Sequence, residues 1–354
     1  MRIQPRGTGP ARRGGPGGRD TGEPAAPEET IETEAPPETG GLTTGRSARR
    51  GDRIFRAAAV GSGALIVALI AAIGLFLLLR AIPALRVNQV NFLLSGTWEV
   101  DDVEDMAFGI LHLLWATVAT SAVALVIAMP VSLGIALFLT QYAPRGFSRP
   151  CAFVVDLLAA VPSIVYGLWG VQVLGPVLAP VAEWLNSAFG FIPLFAVGNI
   201  GRVASSGTIF VAGVVLAVMI LPIITGVSRE TFARTPSDQI EGALALGATK
   251  WEVLRTTVLP FGRSGYVSAA MLGLGRALGE TVALYMILSG TDDAPTLSLF
   301  DGGSTIASKI ALDSAEFNNP TTAGAYIAAG LVLFLLTFVV NAIARAITNG
   351  KQVR

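Results

Sequence analysis

The chain has 354 residues, 52% of them hydrophobic and 14% charged, with a formal net charge of zero and a mean hydropathy of +0.61. Soluble domains carry about 25% charged residues, and 17 of the 50 charges here sit in the first 53 positions; the remainder cannot form the wet surface of a soluble enzyme and reads as a polytopic membrane protein. The charge balance excludes a nucleic-acid binder held by bulk electrostatics, the single Cys151 excludes a disulfide framework, and the single His112 argues against a catalytic zinc, so no metal or cofactor is expected.

Residues 1–52 hold 7 of the 20 prolines and 11 of the 40 glycines. So few aliphatic side chains cannot offset the ordering entropy, and a disordered tail is expected there. Its apolar run starts after Arg56, too late for a secretory signal. A transmembrane domain is expected over 53–354, with six spans at about 57–79, 110–139, 151–174, 203–228, 264–289 and 321–344. Each is nearly free of charge over the roughly 20 residues needed to cross a bilayer. Backbone polar groups in lipid must be satisfied within their own segment, so the spans are helices and the fold class is all-α. The stretch 173–195 is apolar but interrupted by Pro176, Pro180 and Pro193, which reads as a short interfacial or re-entrant helix.

Basic residues set the expected orientation. With a cytoplasmic N-terminus, 15 arginines and lysines lie close to inside membrane ends, and only Arg80, Arg86, Arg202 and Lys309 lie outside. The positive-inside rule therefore places both termini in the cytoplasm. The acidic run Glu99, Asp101, Asp102, Glu104 and Asp105 falls in the first outside loop and lacks the spacing of a calcium loop, so it reads as a solvated face.

Between the fourth and fifth spans, residues 236–260 read PSDQIEGALALGATKWEVLRTTVLP. Ser237 suits a helix cap, Gly247 a helix end, and Trp251, Leu254 and Val258 recur at helical spacing until Pro260. The pattern predicts a helix, a glycine turn and a second amphipathic helix outside the bilayer. The apolar stripe of such a bracket needs either a partner or its own bundle to cover it.

The fifth span contains GLGRALGETVA, Gly273 to Ala283. Arg276 and Glu280 are four apart and so share a helix face. A charge at mid-bilayer costs about 2.5–3.5 kcal/mol on insertion scales and persists where it faces protein or water. Two readings stand: a mutual ion pair locking helices together, or an arginine suited to phosphate or carboxylate with Glu280 tempering its hold. In the third span Asp156 precedes VPSIVYGLWG, where Pro162 frees carbonyls that Ser163 can help satisfy. Asp156 either counters Arg276 from a neighbouring helix or sits near the cytoplasmic interface.

The 236–260 segment resembles the EAA loop of ABC importer permeases, the docking element for a separate ATPase. Glu241, Gly242 and Ala243 hold the triplet positions, Gly247 the glycine, and Leu259–Pro260 the closing pair, with Gly242 replacing the usual alanine. Together with DLLAAVPSIVYGLWG (156–170) and GLGRALGET, it resembles the phosphate-specific ABC importer permeases over nearly all of the chain from Arg53 onward. RALGET and DLLAAVPS are more similar to the PstC type than to PstA.

That resemblance implies a type I importer permease with six transmembrane helices and a coupling-helix loop in the bacterial inner membrane. It also implies as partners a PstA-type permease, two copies of a PstB-type ATPase and a PstS-type extracytoplasmic phosphate-binding protein, in contact with membrane lipid. Arg276 and Glu280 then fall where the family has charges important for phosphate passage. No GxxxxGK[ST] pattern occurs, so ATP hydrolysis is expected from a separate subunit. The competing expectations are a permease for another oxyanion such as sulfate or molybdate, a non-transporting membrane scaffold, and an ATP-independent channel.

Overall fold

A computed structural model of the chain describes residues 46–197, 206–289, 297–317 and 319–349. Most of the expected tail lies outside the described residues; from Arg46 the chain is helical. The chain divides into two compact units, residues 1–62 and 63–354, and the helical bundle belongs to the second. The helices are α1 (Arg46–Val87), α2 (Leu111–Leu137), α3 (Arg145–Ala159), α4 (Ser163–Trp169), α5 (Gly175–Phe189), α6 (Ile209–Ala233), α7 (Ser237–Ala245), α8 (Lys250–Val253), α9 (Leu259–Leu278), α10 (Val282–Ile287), α11 (Ile306–Leu312) and α12 (Pro320–Asn349). Among the described residues the one sheet is a two-stranded antiparallel hairpin, β1 (Trp98–Glu99) and β2 (Ala107–Phe108).

Among the described residues five segments are long and apolar enough to cross a membrane: Gly51–Val87, Leu111–Tyr142, Ser163–Phe189, Ile209–Ala233 and Pro320–Ala346. In the most apolar window of α6 67% of residues are buried, against 6% in that of the first segment. The centre of the bundle is therefore α6, and α1 presents its apolar side chains outward, as a lipid-facing helix does.

The core forms where α2 meets α6. Small residues of α2, among them Ala116, Ala119, Ala124 and Ala128, pack with Val211, Ala212, Val215, Leu216 and Ile220 of α6. In lipid, helices gain little from hydrophobic exclusion and associate through close van der Waals contact, which small residues permit. Gly213 shows the limit of that approach: an added Cβ would lie 2.7 Å from Val123 Cβ. Gly273 of α9 does the same against α6, where a Cβ would lie 2.7 Å from Ile224 Cγ1.

Two of the six expected spans are drawn differently. The helix expected over 151–174 breaks at Ala160–Pro162, because Pro162 has no N–H to continue the ladder. Helical structure resumes at Ser163 and, through a π-helical turn at Gly170–Leu174, runs to Phe189. The proline-rich stretch read as interfacial or re-entrant thus belongs mostly to a continuous apolar segment. Pro176 is accommodated near the start of α5, and Pro193 opens a separate 3₁₀ turn. The span expected over 264–289 is not among the five. It is split at Gly279–Thr281, where α9 ends and α10 begins.

The hairpin closes the end of the bundle opposite α7 and α8. Asn88 brackets β2, donating to the Phe108 carbonyl at 2.7 Å and accepting from its N–H at 3.0 Å. Trp98 packs against Tyr326 of α12 with ring centroids 5.4 Å apart. The acidic run lies exposed on this hairpin, and no group of three metal-ligating side chains occurs among the described residues.

Candidate functional site

The bracket is built by three local devices. α7 starts after Pro236, and Ser237 is its first residue rather than its cap; the Ser237 hydroxyl donates to Asp238 instead. The helix ends in a Schellman turn: the Ala248 N–H reaches the Ala243 carbonyl at 3.1 Å and the Gly247 N–H reaches Leu244 at 2.9 Å. That turn requires a left-handed residue, and Gly247 has φ +88°. α8 is then opened by a reciprocal capping box, in which Thr249 and Glu252 each satisfy the other's backbone N–H. The sequence carries the signal of this pair, T-x-x-E, directly after the more conspicuous glycine.

Glu252 is exposed, and its carboxyl is held below the ordinary glutamate value first by the Thr249 N–H and then by the Thr249 hydroxyl. Both bonds favour the ionised form.

The inward face of the bracket is Val253, Leu254 and Val258, buried in a cluster with Phe232 of α6 and Ala136 of α2. Trp251, expected in the stripe, is 62% exposed, and Leu246 at the tip is 90% exposed. Glu241 and Gly242 are exposed and Ala243 is half-buried. The second arm does not stop at Pro260. A π-helical turn, Leu254–Val258, leads directly into α9, and Pro260 follows that turn without ending the helix. Leu259 is half-buried and Pro260 exposed. The bracket is therefore rigidly continuous with the helix that carries Arg276.

Arg276 and Glu280 do not pair. Glu280 lies in the break after α9, buried, and its carboxylate accepts the Ala283 N–H at 3.3 Å, capping α10. Arg276 is exposed and forms no ion pair with any described acid. It lines a cavity of about 500 Å³ between α9 and α12 with Ser268, Gly275, Asn341 and Arg345. The guanidinium is thus available to an anion.

Asp156 pairs with Arg229 of α6 at 3.2 Å, not with Arg276. The two line a separate cavity of about 940 Å³ at the bracket end, together with Arg149, Glu230 and Ile240. Ser163 is the half-buried first residue of α4 and makes no side-chain hydrogen bond among the described residues. The carbonyl freed by Pro162 is that of Leu158, four residues back, and it accepts instead from the Tyr166 hydroxyl at 2.9 Å. Tyr166 also lies within electrostatic reach of Arg276. Nothing in the spacing pointed to Tyr166, because its partner is set by the kink.

Residues 128–352 match the family described as the binding-protein-dependent transport system inner membrane component. The chain belongs to that family. It is 58% identical over 306 residues, 86% of its length and 94% of the relative, to "Phosphate transport system permease protein PstC 2" of Mycobacterium bovis. It is 40% identical over 297 residues, 84% of its length and 90% of the relative, to the PstC of Xylella fastidiosa. A solved bacterial ABC transporter for import of the acidic polysaccharide alginate shares the fold, with a TM-score of 0.50 at 15% identity, covering 68% of this chain and 79% of that one.

The resemblance to PstC-type permeases carried by DLLAAVPS and RALGET is borne out by these relatives. This family member is a multi-pass membrane permease with the ABC importer fold, not an enzyme, and works in a complex with an ATPase and a binding protein.

Proposed function

We propose that the chain is the transmembrane permease subunit of an ATP-driven importer of inorganic phosphate, working by alternating access. The observation that carries the reading is Arg276, a guanidinium that faces a cavity between α9 and α12 with no carboxylate among the described residues to neutralise it. A charge carried on a helix within the bilayer is costly unless water or a ligand solvates it, and a planar fork suits a tetrahedral oxyanion. The phosphate-transport names of relatives at 58% and 40% identity support the choice of anion.

Glu280 holds the α9–α10 break in shape, so that Arg276 sits at the end of a helix whose other end is the bracket. Closure of an ATPase pair on Glu241–Ala243 and Gly247 would move α8 and α9 as one piece. The wider cavity around Asp156 and Arg229 is the release side, in an orientation with both termini cytoplasmic. The partners on this reading are a PstA-type permease, two PstB-type ATPase copies and a PstS-type binding protein.

The test is phosphate uptake and ATPase activity of the reconstituted complex, with and without the binding protein. Arg276→Gln is expected to abolish uptake while the complex stays assembled. Loss of assembly, or uptake at the wild-type rate, overturns the role of Arg276. Uptake of sulfate or molybdate in place of phosphate overturns the substrate.

A further inference from the structure

The cavity that Arg276 faces has a second arginine. Its walls are one face of each of two helices: Ser268, Met271, Leu272, Gly275 and Arg276 follow the three- and four-residue spacing of α9, and Asn341, Ala344 and Arg345 that of α12. Among the described residues no carboxylate lines it, and Arg345, like Arg276, pairs with no described acid. Two like charges facing one space repel, so the arrangement favours the presence of anions in that space.

The two arginines stand at different depths. α12 packs at the hairpin end through Tyr326, and Arg345 lies 19 positions further on, roughly 30 Å along the helix towards the bracket end. α9 starts at the bracket and reaches Arg276 only in its last turn. Along α9 the lining runs back from Arg276 to Ser268, eight positions nearer the bracket, and along α12 from Asn341 to Arg345, four positions further from the hairpin end. The Ser268 hydroxyl donates to the Ser264 carbonyl at 2.9 Å, so the oxygen left for the cavity is an acceptor. An acceptor beside guanidinium groups welcomes a P–OH proton, which phosphate carries at neutral pH and sulfate does not.

We propose that Arg345, with Asn341 and Ser268, forms a second oxyanion-binding station on the bracket side of Arg276, taking a protonated tetrahedral oxyanion as it leaves the first. The proposal rests on the phosphate-importer reading and extends it by naming a binding residue on α12. The same chemistry would accept the phosphate of an anionic lipid headgroup, and the experiment separates the two sources.

The reconstituted complex is compared as wild type, Arg345→Gln and Arg345→Lys, with assembly checked by size exclusion. Losing a charge-assisted contact lowers phosphate uptake about tenfold or more in Arg345→Gln, and Arg345→Lys, which keeps the charge, recovers part of it. As a second readout, Leu272→Cys is placed in the cavity on a Cys151→Ala background, and its rate of thiol labelling is followed. Inorganic phosphate is expected to slow labelling in vesicles of neutral lipid, and Arg345→Gln to remove that protection. Wild-type uptake by an assembled Arg345→Gln complex overturns the station, as does protection that follows anionic lipid and ignores phosphate. A wild-type complex that imports no phosphate overturns the function instead, while phosphate protection at Leu272→Cys still supports the station.

Discussion

Replacing Gly247 by valine isolates the turn on which the bracket depends. Gly247 has φ +88°, and no atom lies within 4 Å of where its Cβ would sit, so the substitution meets no steric wall. Its cost is conformational: an L-residue in the left-handed region pays roughly 1–2 kcal/mol, and a β-branched one no less. That shifts the closed-to-open ratio of the turn by a factor of about 5–30. The amides that report it are those of Gly247 and Ala248, bonded to Leu244 and Ala243. Their hydrogen exchange in the assembled complex is expected to accelerate by that factor, with uptake falling while membrane insertion persists. Gly242, five residues earlier, is the control. It lies inside α7 with nothing near its Cβ, so Gly242→Ala is expected to stabilise the helix by about 0.5–1 kcal/mol and slow exchange. Unchanged exchange at Ala248 and unchanged coupling in Gly247→Val would refute the idea that a left-handed turn holds the two arms in register.

Tyr166→Phe removes the hydroxyl donor to the Leu158 carbonyl and leaves it the longer 3.3 Å bond from the Val161 N–H at the Pro162 kink; a loss of about 0.5–1.5 kcal/mol in thermal or denaturant unfolding is expected. Asp156→Asn breaks a pair in which the Asp156 side chain is 55% exposed, so the drop in stability should stay within about 1 kcal/mol. The Thr249–Glu252 box is pH-dependent with a defined sign. The folded-state value of Glu252 is depressed, so its contribution is complete above the ordinary glutamate value of 4.5 and is lost as pH falls through the lower folded value. Exchange at the Glu252 amide, bonded to the Thr249 hydroxyl, should rise over that acid range in wild type and show no such step in Thr249→Val.

The chain's own composition determined that it lives in a membrane, because apolar runs of this length have no other solvent, and helix followed from the need to satisfy the backbone within lipid. The glycine turn was equally legible, since Gly247 follows a short helix and has the freedom the turn demands. Partnership was not. Arg276 and Glu280 sit four apart, and the spacing suggested a pair, but the helix breaks between Leu278 and Val282 and Glu280 turns to cap α10. Asp156 found Arg229, 73 positions away, because the kink at Pro162 ends α3 beside α6. Arg345 read as one more basic residue at a helix end until the fold set it across a cavity from Arg276. Local structure obeys short-range stereochemistry, which any stretch of sequence displays. Which charges meet depends on how separate helices are laid together, and only close packing of small residues between α2, α6 and α9 decides that.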